Sequence, residues 1–300
     1  MTGDSIPLSV VVGTTQPWPE IQGCLESFVE EARALGGEVI VLDRDGDGLP
    51  ADADERYPRV QRVTELRASI YRMRSLGMSV ARGEVVLTTE DHCRPRPGWC
   101  AAHLRAHREH THVGVVSGPV ENGARARFVD WASFLLGHAR FVPPGPGPAS
   151  EAVDRSNVSY KRRVLPREPS LYGKDDPPID ERLRREGNRF FFEQSAVVDH
   201  DQSIGFLPTL KIHYHNGRAV AGLRLLRGMD GPERAARALA SLPAGGFLFL
   251  RTALLSARGR RLPPRALASL PFVALITTMV GAGLLVGHVA GPGASPQQLR

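Results

Sequence analysis

The sequence predicts an α/β fold: an open, mostly parallel sheet with helices on both faces, then a C-terminal hydrophobic helical segment. Three observations carry this. Short β-branched runs alternate with amphipathic stretches through the first half of the chain. Breakers bound those stretches, Pro19 at a start and Gly36-Gly37 at a stop. Near the end, Ala266 to Ala290 runs 25 residues without Asp, Glu, Lys or Arg.

"LSVVVG" (8–13) is short, apolar and β-branched, as a strand buried on both faces should be. Its leader carries an acid where a secretory signal needs a basic region, so the N-terminus is read as a first strand. After Pro19, the residues Ile21, Cys24, Leu25, Phe28, Ala32 and Leu35 recur at helical spacing. "EVIVLD" (38–43) is a second strand, 67–82 a second helix and "GEVVLTT" (83–89) a third buried strand. Further strand-like runs are "HVGVVSG" (112–118) and "NRFFFEQSAVVDH" (188–200). Between them, "VPPGPGPAS" (142–150) is too rich in Pro and Gly to pack and reads as a mobile loop. The four histidines of "HLRAHREHTH" (103–112) spread round a helix and its exit, which suggests a surface position. Trp99 and Trp131 suit core packing or a sugar platform.

Composition narrows the class. Of 300 residues 42% are apolar, enough for a sizeable core. A net charge of +6 with 38 basic side chains fits phosphate-bearing ligands or an anionic membrane surface. Nucleic acid is not expected as a partner, because the basic residues are scattered and no binding motif appears. Cys24, Cys93 and Cys100 are odd in number and form no CxxC pair, which points to a reducing compartment. The apolar tail is long enough to cross a bilayer. Arg251, Arg258, Arg260, Arg261 and Arg265 precede it and only Arg300 follows, so the large domain is expected on the cytoplasmic side of the cell membrane. A buried helix, or an interfacial hairpin with "GGFLFLRTALLSA" (245–257), is the alternative. The expected segmentation is a catalytic domain 1–215, an amphipathic linker 216–262 and a membrane-associated helix with its tail, 263–300.

In an open α/β sheet, ligands bind beyond the carboxyl ends of the strands. Asp43 and the triplet Glu90-Asp91-His92 stand there. On an extended tip, residues two apart point the same way, so Glu90 and His92 can share a cation while Asp91 faces aside. Hard divalent cations prefer oxygen ligands, and Mn²⁺ accepts imidazole as well. Such a cation would neutralise a diphosphate leaving group. An ordinary acidic turn is the competing reading of those three residues alone.

From the first strand onward the chain resembles family 2 glycosyltransferases of the GT-A fold. The resemblance rests on "LSVVVGTTQPW", "EVIVLDRDGDG", "SVARGEVVLTTEDHCRPRPGW", "DDPPIDERLRREG" (175–187) and "VVDH" (197–200), in that order, over residues 6 to 215. It implies a nucleotide-diphospho-sugar donor held by Thr14, Asp43, Arg72 and Asp91. It implies Mn²⁺ or Mg²⁺ at Glu90, His92 and His200, and a general base at Asp176 with Asp175 as its rival. Glu90 and His92 stand where relatives carry two aspartates, and Asp175 replaces the usual glutamate. No Gln-x-x-Arg-Trp motif is present, which favours transfer of a single sugar over polymerisation. The acceptor implied is lipid-linked or an envelope glycan. A nucleotidyltransferase would want a Gly-rich basic loop where "GTTQPWPE" stands. The altered metal motif leaves open a non-catalytic, membrane-bound sugar or partner binder.

Overall fold

The structure, a computed structural model, describes residues 6–168, 179–226, 228–257 and 262–299. In chain order the elements are β1 (Leu8–Thr14), α1 (Gln22–Arg33), β2 (Glu38–Asp43), α2 (Ala53–Arg56), β3 (Val60–Thr64), α3 (Ile70–Val80) and β4 (Val85–Glu90). They continue with β5 (Cys93–Pro95), α4 (Trp99–Glu109), β6 (Val113–Ser117), β7 (Val120–Asn122), α5 (Phe128–His138), β8 (Val158–Lys161) and α6 (Ile179–Arg185). The last are β9 (Arg189–Phe192), β10 (Val198–His200), α7 (Phe206–Leu226), α8 (Gly231–Ala257), α9 (Pro264–Ala268) and α10 (Leu270–Ala290).

The chain divides into two units. Among the described residues the first holds 6–121, 141–168 and 179–201, and the second holds 122–140 and those from 202 to 299. Within the second unit, α7 and α8 both pack with α10.

The first unit is built on a seven-stranded sheet of order β3-β2-β1-β4-β8-β6-β9. Strands β3, β2, β1 and β4 run parallel, as the apolar runs of β1, β2 and β4 predict; β3, which carries exposed Gln61 and Arg62, was not read from the sequence. Strand β8 lies antiparallel between β4 and β6, and β9 is parallel to β6. Gly77 lets α3 lie against the sheet: a Cβ there would come within 2.4 Å of Val11 Cγ1 and 2.8 Å of Leu42 Cδ1. The run 188–200 is not one strand. It breaks into β9 of the large sheet and β10 of a small sheet of order β5-β10-β7. The 142–150 loop is packed, with Phe192 N–H donating to Pro148 O and Gly145 seated against the Phe192 ring.

Two of the four histidines on and after α4 are buried, contrary to the surface expectation. The reason is a polar network centred on Asn157. Its Oδ1 accepts from Trp99 Nε1 at 2.8 Å and meets His103 Nε2 at 3.0 Å. Its Nδ2 donates to Pro119 O and Ala196 O. Ser159 Oγ meets His103 Nδ1 at 2.8 Å and His107 Nε2 at 3.0 Å, tying α4 to β8. Neutral imidazoles are tolerated inside a core when such partners satisfy them.

In the second unit, α7, α8 and α10 approach closely through glycines. A Cβ on Gly283 would come within 2.1 Å of Tyr214 O, and one on Gly217 within 2.3 Å of Val280 O. Helix α8 has an inverted pattern. Ser241, Gly245, Thr252 and Ser256 form its buried face, and Ser241 Oγ meets His288 Nδ1 at 3.0 Å. Leu239, Leu242, Phe247, Leu250 and Leu254 point outward, each between 46% and 68% exposed. At ~100° per residue those five fall on one face, within an arc of about 140°. The uncharged tail is two helices, not one. Helix α10 has 21 residues, about 31 Å at ~1.5 Å per residue, against the ~30 Å of a bilayer core.

Burial makes a pH prediction. It holds His103 down to about 4 and His107 down to about 3, with their mutual proximity a lesser cause for His107. Unfolded histidines titrate near ~6.5. Between these values the unfolded chain binds more protons, so stability rises with pH there and is lost as pH falls from ~6.5 toward 4. Urea midpoints measured from pH 6 to 4.5, where His92 is protonated in the folded chain and largely so in the unfolded one, should fall steadily, and the fall should shrink in His107→Gln. A wild-type midpoint flat over that range would show that both rings are solvated.

Candidate active site

The parallel strands β1 and β4 end side by side, with Gly13 opposite Glu90 in register. Thr14, Thr15 and the 90–92 tip therefore share one end of the sheet. The tip turns directly into β5, and β5 pairs antiparallel with β10 so that Cys93 faces His200. This second pairing delivers a histidine from more than a hundred residues away to the same place.

The tip is a turn and not extended strand, since β4 ends at Glu90 and Asp91-His92 link it to β5, yet the side chains separate as expected. Glu90 and His92 converge with His200, and Asp91 points away from them. His92 Nε2 lies 3.0 Å from His200 Nε2 and 3.3 Å from Glu90 Oε2, and His200 Nε2 lies 3.6 Å from the same oxygen. Ligand atoms held at ~2.1 Å from one cation stand about 3.0–3.4 Å apart, depending on whether the geometry is octahedral or tetrahedral. The three side chains thus fit a single divalent cation, and no large movement is needed to receive it.

Asp91 organises this group from behind. Its Oδ2 accepts from Thr14 Oγ1 at 2.9 Å and from Thr15 N–H at 3.1 Å, and its Oδ1 lies 2.8 Å from His92 Nδ1. Burial opposes a charge on His92, but the hydrogen bonds and charges of Asp91 and Glu90 outweigh it and raise the pKa to about 10. A doubly protonated ring satisfies the geometry, donating from Nδ1 to Asp91 and from Nε2 to His200. Burial likewise opposes charge on Glu90, yet Arg74, His200 and His92 hold it well below the ordinary carboxylate range.

Other expected residues sit differently. Asp43 is buried at the end of β2, where its two oxygens accept from Gly46 N–H at 2.8 Å and Gly48 N–H at 3.0 Å. It shapes the loop beside Thr14. Arg72 is turned to Glu65, 3.0 Å away. Arg74, which sequence reasoning missed, pairs with Glu90 at the tip. Helical phase could have found it, because Arg74 lies one turn before buried Met78 on α3. Asp175 and Asp176 lie outside the described residues.

The profile "Glycosyl transferase family 2" matches residues 9–164. No curated protein matches. Among solved structures, similarity is found to GalNAc-T7 with UDP, GalNAc and Mn²⁺, at 14% identity and a TM-score of 0.51, over 87% of this chain and 59% of that one. A mannosyltransferase, PcManGT from Pyrobaculum calidifontis, in complex with GDP-Man and Mn²⁺, is 17% identical over 95% of this chain and 75% of its own, with a TM-score of 0.44. TarS 1–349 of S. aureus is 14% identical over 95% and 91%, with a TM-score of 0.49. The chain therefore spans less than two thirds of the first of these, and at such identities the likeness is one of fold. The profile covers just over half of the sequence, including β1 and the whole Glu90–His92 tip, and the chain belongs to glycosyl transferase family 2.

Proposed function

We propose that the chain is a glycosyltransferase that moves one sugar from a nucleotide diphosphate sugar to a lipid-linked or envelope glycan acceptor, with inversion. The observation that supports it best is the convergence of Glu90, His92 and His200 on one point beside Asp91 and Thr14. A divalent cation bound there would neutralise the leaving diphosphate. Two imidazoles in a three-residue donor set favour Mn²⁺ over Mg²⁺. Asp91 keeps His92 oriented through Nδ1, the arrangement by which a carboxylate fixes a metal-bound imidazole. Arg74 is placed to turn from Glu90 to a phosphate oxygen. Thr14, Asp43 and the loop that Asp43 shapes are suited to the nucleoside. Inversion needs one carboxylate to take the acceptor proton, and Asp176 is the residue proposed for it, with Asp175 its rival.

The second unit supports membrane attachment. Helices α8 and α10 are long and apolar enough to cross a bilayer. Yet α10 packs along α7, which carries Lys211, Arg218 and Arg224. Arg218 bonds Gly291 O and Gly222 backs on Pro292, so Arg218 and Arg224 lie at the end of α10, but a crossing by α10 would draw Lys211 toward hydrocarbon, at up to ~2.5–3.5 kcal/mol. An interfacial position, with the outward leucines and Phe247 of α8 in the lipid, avoids that cost. The three free cysteines favour the cytoplasmic face.

Three measurements test this reading. Asp91→Asn should weaken Mn²⁺ binding by ~10–100-fold with Glu90, His92 and His200 untouched, as read by calorimetry. In the wild type that binding should strengthen as pH rises, because the cation displaces the His92 Nε2 proton. Unchanged affinity in Asp91→Asn would make its contacts merely structural.

Asp176→Asn should lower turnover by ~10²–10⁴-fold and leave the donor constant unchanged. Asp175→Asn should do less. If Asp175→Asn is inactive and Asp176→Asn is active, the roles are reversed, and if both are active the base lies elsewhere.

Leu242→Asp with Leu250→Asp alters only exposed side chains, so folding should persist. Carbonate should extract the wild-type protein from membranes, and the double variant should no longer bind vesicles. Wild-type protein that resists carbonate would instead mark α8 and α10 as spanning.

A further inference from the structure

Strand β4 has a second end. At ~3.3 Å per residue, Val85 lies about 17 Å from Glu90, at the opposite edge of the sheet. A cavity of about 790 Å³ opens there. Its floor is apolar, with Met78, Leu104, Leu165 and Pro166, and its rim carries Arg108, Lys161, Arg162, Arg163 and Arg167. Glu84 is the one carboxylate among the lining residues.

The rim is built by the fold, not by chance clustering on a flexible tail. Lys161 ends β8 directly opposite Val85 in antiparallel register. Its Nζ donates to Thr111 O at 2.6 Å and to His110 O at 3.3 Å, and Arg163 Nη2 donates to Thr111 O at 3.2 Å. Arg162 N–H donates to Glu84 O at 2.8 Å. The Thr111 and His110 carbonyls orient Lys161 and Arg163 without neutralising them, and the Arg162 backbone bond fixes the turn that carries these residues. Among the described residues none of the five is in an ion pair. Burial, and after it the charge of Arg163, lowers the pKa of Lys161, as expected where positive charge is crowded.

We propose that this groove is a second ligand site, distinct from the Glu90–His92–His200 centre, and that it takes a phosphate-bearing ligand. The guanidinium groups and Lys161 would hold the phosphate oxygens. The apolar floor would lie under an aliphatic portion of the ligand. A phospholipid headgroup and a free phosphate compound share that chemistry.

Calorimetry on the full chain in a neutral detergent, with a chelator present to prevent cation-mediated phosphate binding at the other centre, tests the proposal. The probes are dihexanoyl phosphatidate, dihexanoyl phosphatidylcholine and inorganic diphosphate. Phosphatidate should bind once per chain, more weakly as salt rises, and the neutral lipid should not bind. Arg108→Glu with Arg163→Glu should weaken phosphatidate by about tenfold or more, some 1.4 kcal/mol. Both side chains are exposed, and Mn²⁺-dependent nucleotide binding should be unchanged in the variant. Diphosphate that binds as tightly as phosphatidate identifies a soluble ligand, and much weaker binding identifies a lipid. Should the double exchange not fold, Arg163→Ser alone must still weaken the anion. If neither anion binds the wild type, or the altered rim binds both as well as the wild type, the groove is no anion site.

Discussion

The carboxylate of Asp91 holds together three pieces of chain that chemistry needs in one place. One oxygen takes the hydroxyl of Thr14 and the amide of Thr15, closing the loop after β1 against the end of β4. The other takes the ring of His92. This contact joins the β1 loop to the tip through a buried carboxylate. With it, the imidazole is fixed in direction, and Glu90 and His200 have a fixed partner to meet. The side chain that points away from the metal-capable group is the one that makes the group possible.

Much of this was legible in the sequence. Strands β1, β2 and β4 are short runs rich in β-branched residues, the pattern of a parallel strand covered on both faces. The separation of Glu90 and His92 from Asp91 was expected from the two-residue period of an extended tip, whereas a turn at Asp91-His92 produces it. His200 was reachable only through the family resemblance, because its position depends on β10 pairing with β5, a contact far apart in sequence. Arg74 was missed, although the phase of α3, set by Gly77 against Val11 and Leu42, turns it toward the tip. The buried histidines were illegible for a related reason. Burial of His103 and His107 depends on Asn157 and Ser159, which reach them from β8 and the turn before it. No local pattern announces a partner fifty residues away.

The second unit shows the limit of hydropathy as a guide. Counting charges over 266–290 suggests one long crossing helix, but the chain ends α9 at Ala268 and starts α10 at Leu270. What matters more is which side of each helix is dressed in which chemistry. Helix α8 turns serines, a threonine and a glycine toward its neighbours, and leucines and a phenylalanine outward. A helix in water gains by the reverse arrangement, since burial of each large aliphatic side chain is worth roughly 1.5–3 kcal/mol. The outward stripe is favourable only when something apolar covers it.

Charge balance links cation and donor at the sheet end. With His92 protonated, the positive charges of Arg74 and His92 offset the negative charges of Glu90 and Asp91, so the cluster is neutral and offers a diphosphate no net attraction. A divalent cation held by Glu90, His92 and His200 in place of the His92 Nε2 proton would add two charges for the one that leaves. The same four side chains would then carry a net positive charge at a partly buried point, where electrostatic interactions are stronger than in water. Phosphate oxygens would be attracted to the site only in that state, and Arg74, relieved of its role as the main counter-charge of Glu90, would be free to meet them. On the proposed function an order of binding would follow: the cation, or a cation already carried by the diphosphate, would come first or together with the donor, because a diphosphate arriving alone would meet a site that is already electrically satisfied.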